Sequence, residues 1–309
     1  MPAAAQVAPP KTPSHLRIMN IRTGEKKAVY DSPVLIEAPN WSRDGRFLIY
    51  NSLGHLYKIP AAGGQPVQID TGDRIKNNND HGLSPDGQWI AISDQSKDGH
   101  SRVYVLPYSG MAGYTIQTID GDGKLSPEIK MNPIEVTPAA PSYWHGWSPD
   151  GKTLAFVGQR KGEFDIYTVP VEGGAETQLT DAIGLDDGPD YDPAGHIWFN
   201  SVRTGHMQIW RMKADGSDET QITKDDAYGD WFPHPSPDGK WVLFLSFKGD
   251  VVGHPPGQHV KLRLIPADGS AGPKVVTELY GGQGTLNVNS WAPDSEWFAF
   301  VEYDDPEKK

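Results

Sequence analysis

The chain has 309 residues, a formal net charge of -12 and no cysteine. That acidity disfavours a nucleic-acid backbone as partner, and the lack of cysteine excludes disulfides and thiol chemistry. No apolar run reaches the roughly 20 residues that span a bilayer, and 34 Gly with 27 Pro argue against long helices.

In chain order, residues 1–14 form an Ala/Pro-rich segment that is expected to be flexible. It lacks the apolar stretch of a signal peptide, but its "AAAQ" is similar to the end of a leader. The expected location is therefore periplasmic or secreted, with a cytoplasmic start as the alternative. From His15, "HLRIMNIRTGEKKAVYD" reads as strand, turn and strand. Six related phrases follow: "NWSRDGRFLIYNS", "HGLSPDGQWIAIS", "HGWSPDGKTLAFV", "PDYDPAGHIWFNS", "PHPSPDGKWVLFL" and "NSWAPDSEWFAFV". Their first turn residues are Ser42, Ser84, Ser148, Asp192, Ser236 and Ala292. In most of them Pro presets the second turn position and Gly closes the turn.

An alternating run follows each turn, then a second run such as "FDIYTVPV", then a Gly-rich turn and a more polar strand such as "ETQLT". Four short strands in a unit of about 40–45 residues are the mark of a propeller blade. The expectation is an all-β, six-bladed β-propeller of four-stranded blades over residues 15–304, with a tail at 305–309. "WFAFVEY" ends the sixth unit two strands short, so the N-terminal segment is expected to complete that blade and close the ring. Two longer spacings mark insertions. One runs over residues 111–141 after the second unit; the other is "KGDVVGHPPGQHVKL", carrying His254 and His259, in the fifth.

Repetition supplies an internal control, because positions that only build a blade should look alike in all six. The residues just before each turn do not: Glu37-Ala38-Pro39-Asn40, Asn79-Asp80-His81-Gly82, Tyr143-Trp144-His145-Gly146, Asp187-Gly188-Pro189-Asp190, Trp231-Phe232-Pro233-His234 and Asn287-Val288-Asn289-Ser290. The first strand of a propeller blade is innermost, so these segments should meet around one channel. His145 and His81 share a register and are the candidate catalytic groups, and with His234 they are candidate metal ligands. Candidate substrate contacts are Glu37, Asn79, Tyr143, Trp144, Asp187, Trp231, Gln283 and Asn287. Each has a plainer alternative: histidines that bond a neighbouring blade, aspartates (Asp186, Asp187, Asp190) that cap turns, and tryptophans that fill the space between blades.

The motif W-S-P-D-G-K-x-[IL]-[AV]-F, then I-Y, then G-G-x-x-x-x-L-T, resembles the TolB-type propeller repeat over nearly the whole chain. "SYWHGWSPDG", "DWFPHPSPDG" and "GGQGT" resemble a bacterial subgroup of stand-alone TolB-like propellers. A more general resemblance is to oligogalacturonate lyases, whose metal is held by histidines and a glutamine at the channel mouth. That likeness implies an oligosaccharide, uronic-acid-containing ligand and a divalent ion (Mn, Zn, Ni or Ca). The chain departs from the lyases where it carries Asn287 and Asn289 after Gln283 in place of paired histidines. The other function expected of a TolB-like ring is non-catalytic capture of a peptide or protein partner, without membrane insertion.

Overall fold

The computed structural model describes residues 12–108, 115–116, 129–130 and 133–308. Most of the insertion expected over 111–141 lies outside the described residues. The backbone forms six sheets around one axis, and inner strands of successive blades lie against one another. Blade 1 runs outward from Glu37–Trp41 through Phe47–Ser52 and His55–Pro60 to Val67–Ile69. The inner strands of blades 2 to 5 are Asn77–Leu83, Ser142–Trp147, Asp186–Tyr191 and Tyr228–Pro235.

Blade 6 closes the ring. Ser14–Asn20 pairs antiparallel with Trp297–Tyr303, from Ser14 opposite Tyr303 to Asn20 opposite Trp297, and Lys26–Ser32 forms the outer edge. The inner position is held by 287–291, tied to the sheet by a bridge between Trp291 and Phe298 and by Ala299 N–H donating to the Ser290 carbonyl. Leu16, Ala299 and Val301 are buried here in one cluster with Trp41 and Leu48 of blade 1. Sequence ends thus become neighbours because each edge would otherwise expose unpaired backbone.

The repeated turns build the same local network. Ser42, Ser84, Ser148 and Ser236 each donate a side-chain hydrogen bond to the Asp two residues on and accept one from the backbone N–H five residues on. Trp147 Nε1 donates to the Gly82 carbonyl of blade 2 at 3.0 Å, and Trp291 Nε1 to the His234 carbonyl of blade 5 at 2.9 Å. These rings therefore fill the wedge between blades and also fix blade spacing.

Inner strands depart from regular pairing at the residues where the repeats diverge. Register shifts fall between Glu37 and Asn40, Asn77 and His81, Trp144 and Gly146, Asp187 and Asp190, and Trp231 and His234. Such bulges leave residues off the ladder and re-aim their side chains. In blades 1, 4 and 5 the bulge carries a left-handed residue before a proline: Ala38 (φ 53), Gly188 (φ 62) and Phe232 (φ 55). For a bulky residue such as Phe232 this conformation costs on the order of 1–3 kcal/mol, so its surroundings must hold it there.

Candidate functional site

The bulges converge on a half-open cavity of about 370 Å³ at the end of the channel where the inner strands begin. Its polar lining is Asn78, Asn79 and Asp80 from blade 2, His145 from blade 3, Asp187 from blade 4, and Gln283 and Asn287 from the last blade's approach. Its apolar lining is Tyr143, Val157, Phe164, Leu185 and Phe232. His254 arrives from the blade 5 insertion and completes the lining.

His145 occupies the bulge itself, skipped between the Trp144–Phe156 and Gly146–Ala155 pairs, which leaves its ring directed inward. Its Nε2 lies 3.4 Å from Asp187 Oδ1, its Nδ1 is buried without a partner, and Phe232 stacks on it at 5.9 Å. Burial opposes a charge on this imidazole, yet the Asp187 hydrogen bond and the fields of Asp80, Asp187 and Asp190 push its pKa up. Asp187 pays the same desolvation, but His145, His254 and the Gly188 N–H hold its carboxyl below the usual range. Asp80 Oδ2 accepts from Asn78 Nδ2 at 2.7 Å, but burial outweighs that bond and the nearby imidazoles and pushes its carboxyl up to about 6.

His254 lies between Trp231, at 4.6 Å centroid separation, and Phe232, at 5.1 Å. Its Nδ1 bonds Gln283 Oε1, which also accepts from Asn287 Nδ2 at 3.1 Å. An oxygen that accepts from Asn287 can also accept from Nδ1–H, and Nε2 then stands 3.8 Å from Asp187 Oδ2. The amide nitrogen of Gln283 and the side chain of Asn79 make no hydrogen bond among the described residues, so both are available to a ligand.

Asn79, Tyr143, His145, Asp187, Gln283 and Asn287 from the sequence-based set thus line one cavity. The others stand elsewhere. His81 shares His145's sequence register but not its ladder register: it pairs with Ile92, and its ring is fully buried between blades, where burial drives its pKa down to about 4. His234 is consumed by a buried clamp, with Nδ1 3.0 Å from Asp190 Oδ2 and Nε2 3.2 Å from the Leu286 carbonyl. Asn289 Nδ2 donates to the same Asp190 oxygen at 2.9 Å, so one carboxylate joins blades 4, 5 and 6.

Trp144 is 3% exposed and lies over Gly82, and Trp231 is 3% exposed behind Phe232 and His254. Both are packing residues rather than open stacking platforms. Glu37 stands beside the cavity against Gly284, and burial, then Asp80's charge, pushes its carboxyl up to about 7. Arg203 is tied to Asp186 and Glu219 and does not reach the channel. Among the described residues, His81, His145 and His234 belong to no set of three His, Asp or Glu donors lying within 4.8 Å of one another. The three histidines are therefore not brought together: His81 is buried without a hydrogen bond among the described residues, His145 faces Asp187 and His234 is held by the Asp190 clamp.

Sequence reasoning missed Asp80 and Phe232 and left His254 without a side of the ring. Phe-Pro inside an inner strand was the available signal for Phe232, since the two matching positions are small residues before proline. The opposite end of the channel holds a second cavity, of about 290 Å³, ringed by turn prolines and by Arg43, Asp190 and Asn289. There Arg43 is spent on the Leu83 and Ser84 carbonyls and Asp190 on the clamp, so few free groups remain. Among the described residues no helix is long and apolar enough to cross a membrane.

Comparison with known proteins agrees with this architecture. The TolB beta propeller domain family (PD40) matches residues 134–254. An uncharacterized protein of Agrobacterium fabrum is 47% identical over 292 residues, covering 94% of this chain and 92% of its own. A solved Agrobacterium tumefaciens structure assigned to TolB superposes with a TM-score of 0.84 at 44% identity, over 96% of this chain and 99% of that one. An oligogalacturonate lyase in complex with manganese shares the fold alone, with a TM-score of 0.51 at 12% identity over 86% and 73% of the two chains. With six repeats closed into a ring and a relative at 47% identity along nearly its full length, the chain belongs to the TolB-like β-propeller family.

Proposed function

We propose that this protein is a carbohydrate-binding propeller whose loop-side cavity seats a neutral or amino-bearing end of an oligosaccharide. One observation carries the proposal: amide, carboxylate and imidazole groups, with the Gln283 amide nitrogen and the Asn79 side chain unpaired among the described residues, share a cavity of about 370 Å³ with aromatic and aliphatic side chains. Sugars present hydroxyl edges and apolar C–H faces, and ligand clefts of about 300–1,000 Å³ commonly combine those two surfaces. The lining has two carboxylates, Asp80 and Asp187, and no Lys or Arg. That balance favours hydroxyls or an ammonium group over the uronate expected from the lyase likeness, because a bound uronate would meet like charge.

Cleavage of the bound sugar is a second reading. It is supported by the opposed behaviour of Asp80, raised to about 6, and Asp187, held low, since such a split separates a proton donor from an ionised partner. Periplasmic residence belongs to the same proposal, by likeness to TolB, and cell fractionation tests it.

Titration calorimetry at neutral pH with neutral, amino-bearing and uronate oligosaccharides tests the main reading. Amino-bearing and neutral sugars should bind, uronates more weakly, and Asp187→Asn should lower affinity for an amino sugar by about tenfold or more. Binding of uronates alone, or of basic peptides with no sugar bound, would overturn it. Release of a reducing end that stops in Asp80→Asn would establish cleavage.

A further inference from the structure

A second cluster of metal-ligating groups lies outside the channel, between blade 5 and the turn that follows the closing strand. His259, on the long strand Pro256–Pro266 of blade 5, faces Asp305 and Glu307, which follow the closing strand Trp297–Tyr303. His259 Nε2 lies 3.9 Å from Asp305 Oδ2 and 3.7 Å from Glu307 Oε2, and the three donor atoms all fall within 4.8 Å of one another.

We propose that this cluster is a zinc site that staples the C-terminal turn to blade 5. The independent sign is Asp305, whose side chain is only 8% exposed and whose Oδ2 accepts no hydrogen bond although it is buried. A buried carboxylate oxygen without a donor is costly, and a cation relieves that cost. Asp305 Oδ1 is already used by the Glu307 N–H at 2.9 Å, which bends the single turn Pro306–Lys308 and brings Glu307 back toward His259.

The imidazole is held from the other side by Tyr280, edge-on at 5.2 Å and paired with it across the ladder. One imidazole nitrogen and two carboxylate oxygens suit Zn²⁺, whose tetrahedral donors lie about 3.4 Å apart at Zn–ligand lengths of roughly 2.0–2.2 Å. The two separations from His259 Nε2, 3.9 and 3.7 Å, need to close by only a few tenths of an ångström. Glu307, 81% exposed, is free to make that movement, and water would take the fourth position. The competing cation is Lys308, whose Nζ is 3.7 Å from Asp305 Oδ2 but 82% exposed, so a divalent ion displaces it at little loss.

The site shares no residue with the loop-side cavity. A zinc ion would therefore hold the chain end against blade 5 rather than act on ligand binding. It would link a strand of blade 5 to the chain end that pairs with Ser14–Asn20, where His15 already bridges Asp31 and Asp304 at 2.7 and 2.9 Å.

Metal-free protein dialysed against buffered ZnCl₂ and analysed for bound metal provides the test, with the thermal midpoint as second readout. One equivalent of Zn²⁺ should bind and raise the midpoint. His259→Gln and Asp305→Asn should each weaken binding by at least about tenfold while folding normally without zinc. Lys308→Ala should retain or tighten binding, and His254→Gln, in the channel, should leave it unchanged. No stoichiometric uptake, uptake that survives both ligand substitutions, or uptake lost in His254→Gln would overturn the proposal.

Discussion

Glu37 is the residue whose ionisation the fold resists most clearly. Burial and the neighbouring Asp80 raise its carboxyl to about 7, far above the value near 4 of an unfolded chain. A group that binds its proton more tightly when folded stabilises the protein below that window and withdraws the advantage as pH rises through the folded value. Stability should therefore fall between about pH 4 and 7 through this residue. Glu37→Gln removes the contribution: its urea midpoint should match the wild type near pH 4 and exceed it at pH 8. Equal midpoints for both proteins at pH 8 would mean that Glu37 ionises without penalty. Asp80, raised to about 6, adds a slope of the same sign, and because the two charges repel, the difference between variant and wild type contains Glu37 and its coupling to Asp80.

At the scale of the element, the strand assignments and turns were legible because Ser-Pro-Asp-Gly and the alternating runs repeat. Each copy confirms the next. The register inside the inner strand was not legible, because a bulge changes which residue faces the axis without altering the residue count. His81 and His145 stand at the same distance from their turns, yet one pairs with Ile92 and the other is the bulged residue. The same ambiguity hid Trp144, whose ring turns toward blade 2 and takes the space that a side chain at position 82 would need. A Cβ built on Gly82 falls 2.2 Å from Trp144 Cη2. Gly82→Ala should thus cost about 1–3 kcal/mol by overpacking, read from denaturant midpoints. Gly272→Ala, where nothing lies within 4 Å, should leave the midpoint nearly unchanged and serves as its control.

In the whole molecule, the polypeptide runs from blade to blade without a break, and the ring is closed by the seam within blade 6. Closure there depends on noncovalent pairing of Ser14–Asn20 with Trp297–Tyr303 and on ion pairs such as Arg17 with Glu302 and Lys26 with Glu302. Part-exposed pairs such as Lys26 with Glu302 contribute little, and the apolar face of the N-terminal strand adds the burial that closes the ring. Leu16 is fully buried against blade 1 in the cluster that spans the seam. Truncating such a leucine typically costs about 2–5 kcal/mol. If the ring is one cooperative unit, Leu16→Ala should lower the global unfolding midpoint by that amount while a single transition persists, since opening the seam exposes edges on both sides. A separate early transition seen by fluorescence of Trp297, with the remaining blades unfolding at the wild-type midpoint, would instead show a ring that tolerates being open. The distinction bears on the cavity as well, because Gln283 and Asn287 lie on the stretch between blade 5 and the closing strand, and Tyr303 donates to the Gln283 carbonyl at 2.7 Å. Loss of closure should then weaken ligand binding through Gln283 even though Leu16 touches no ligand.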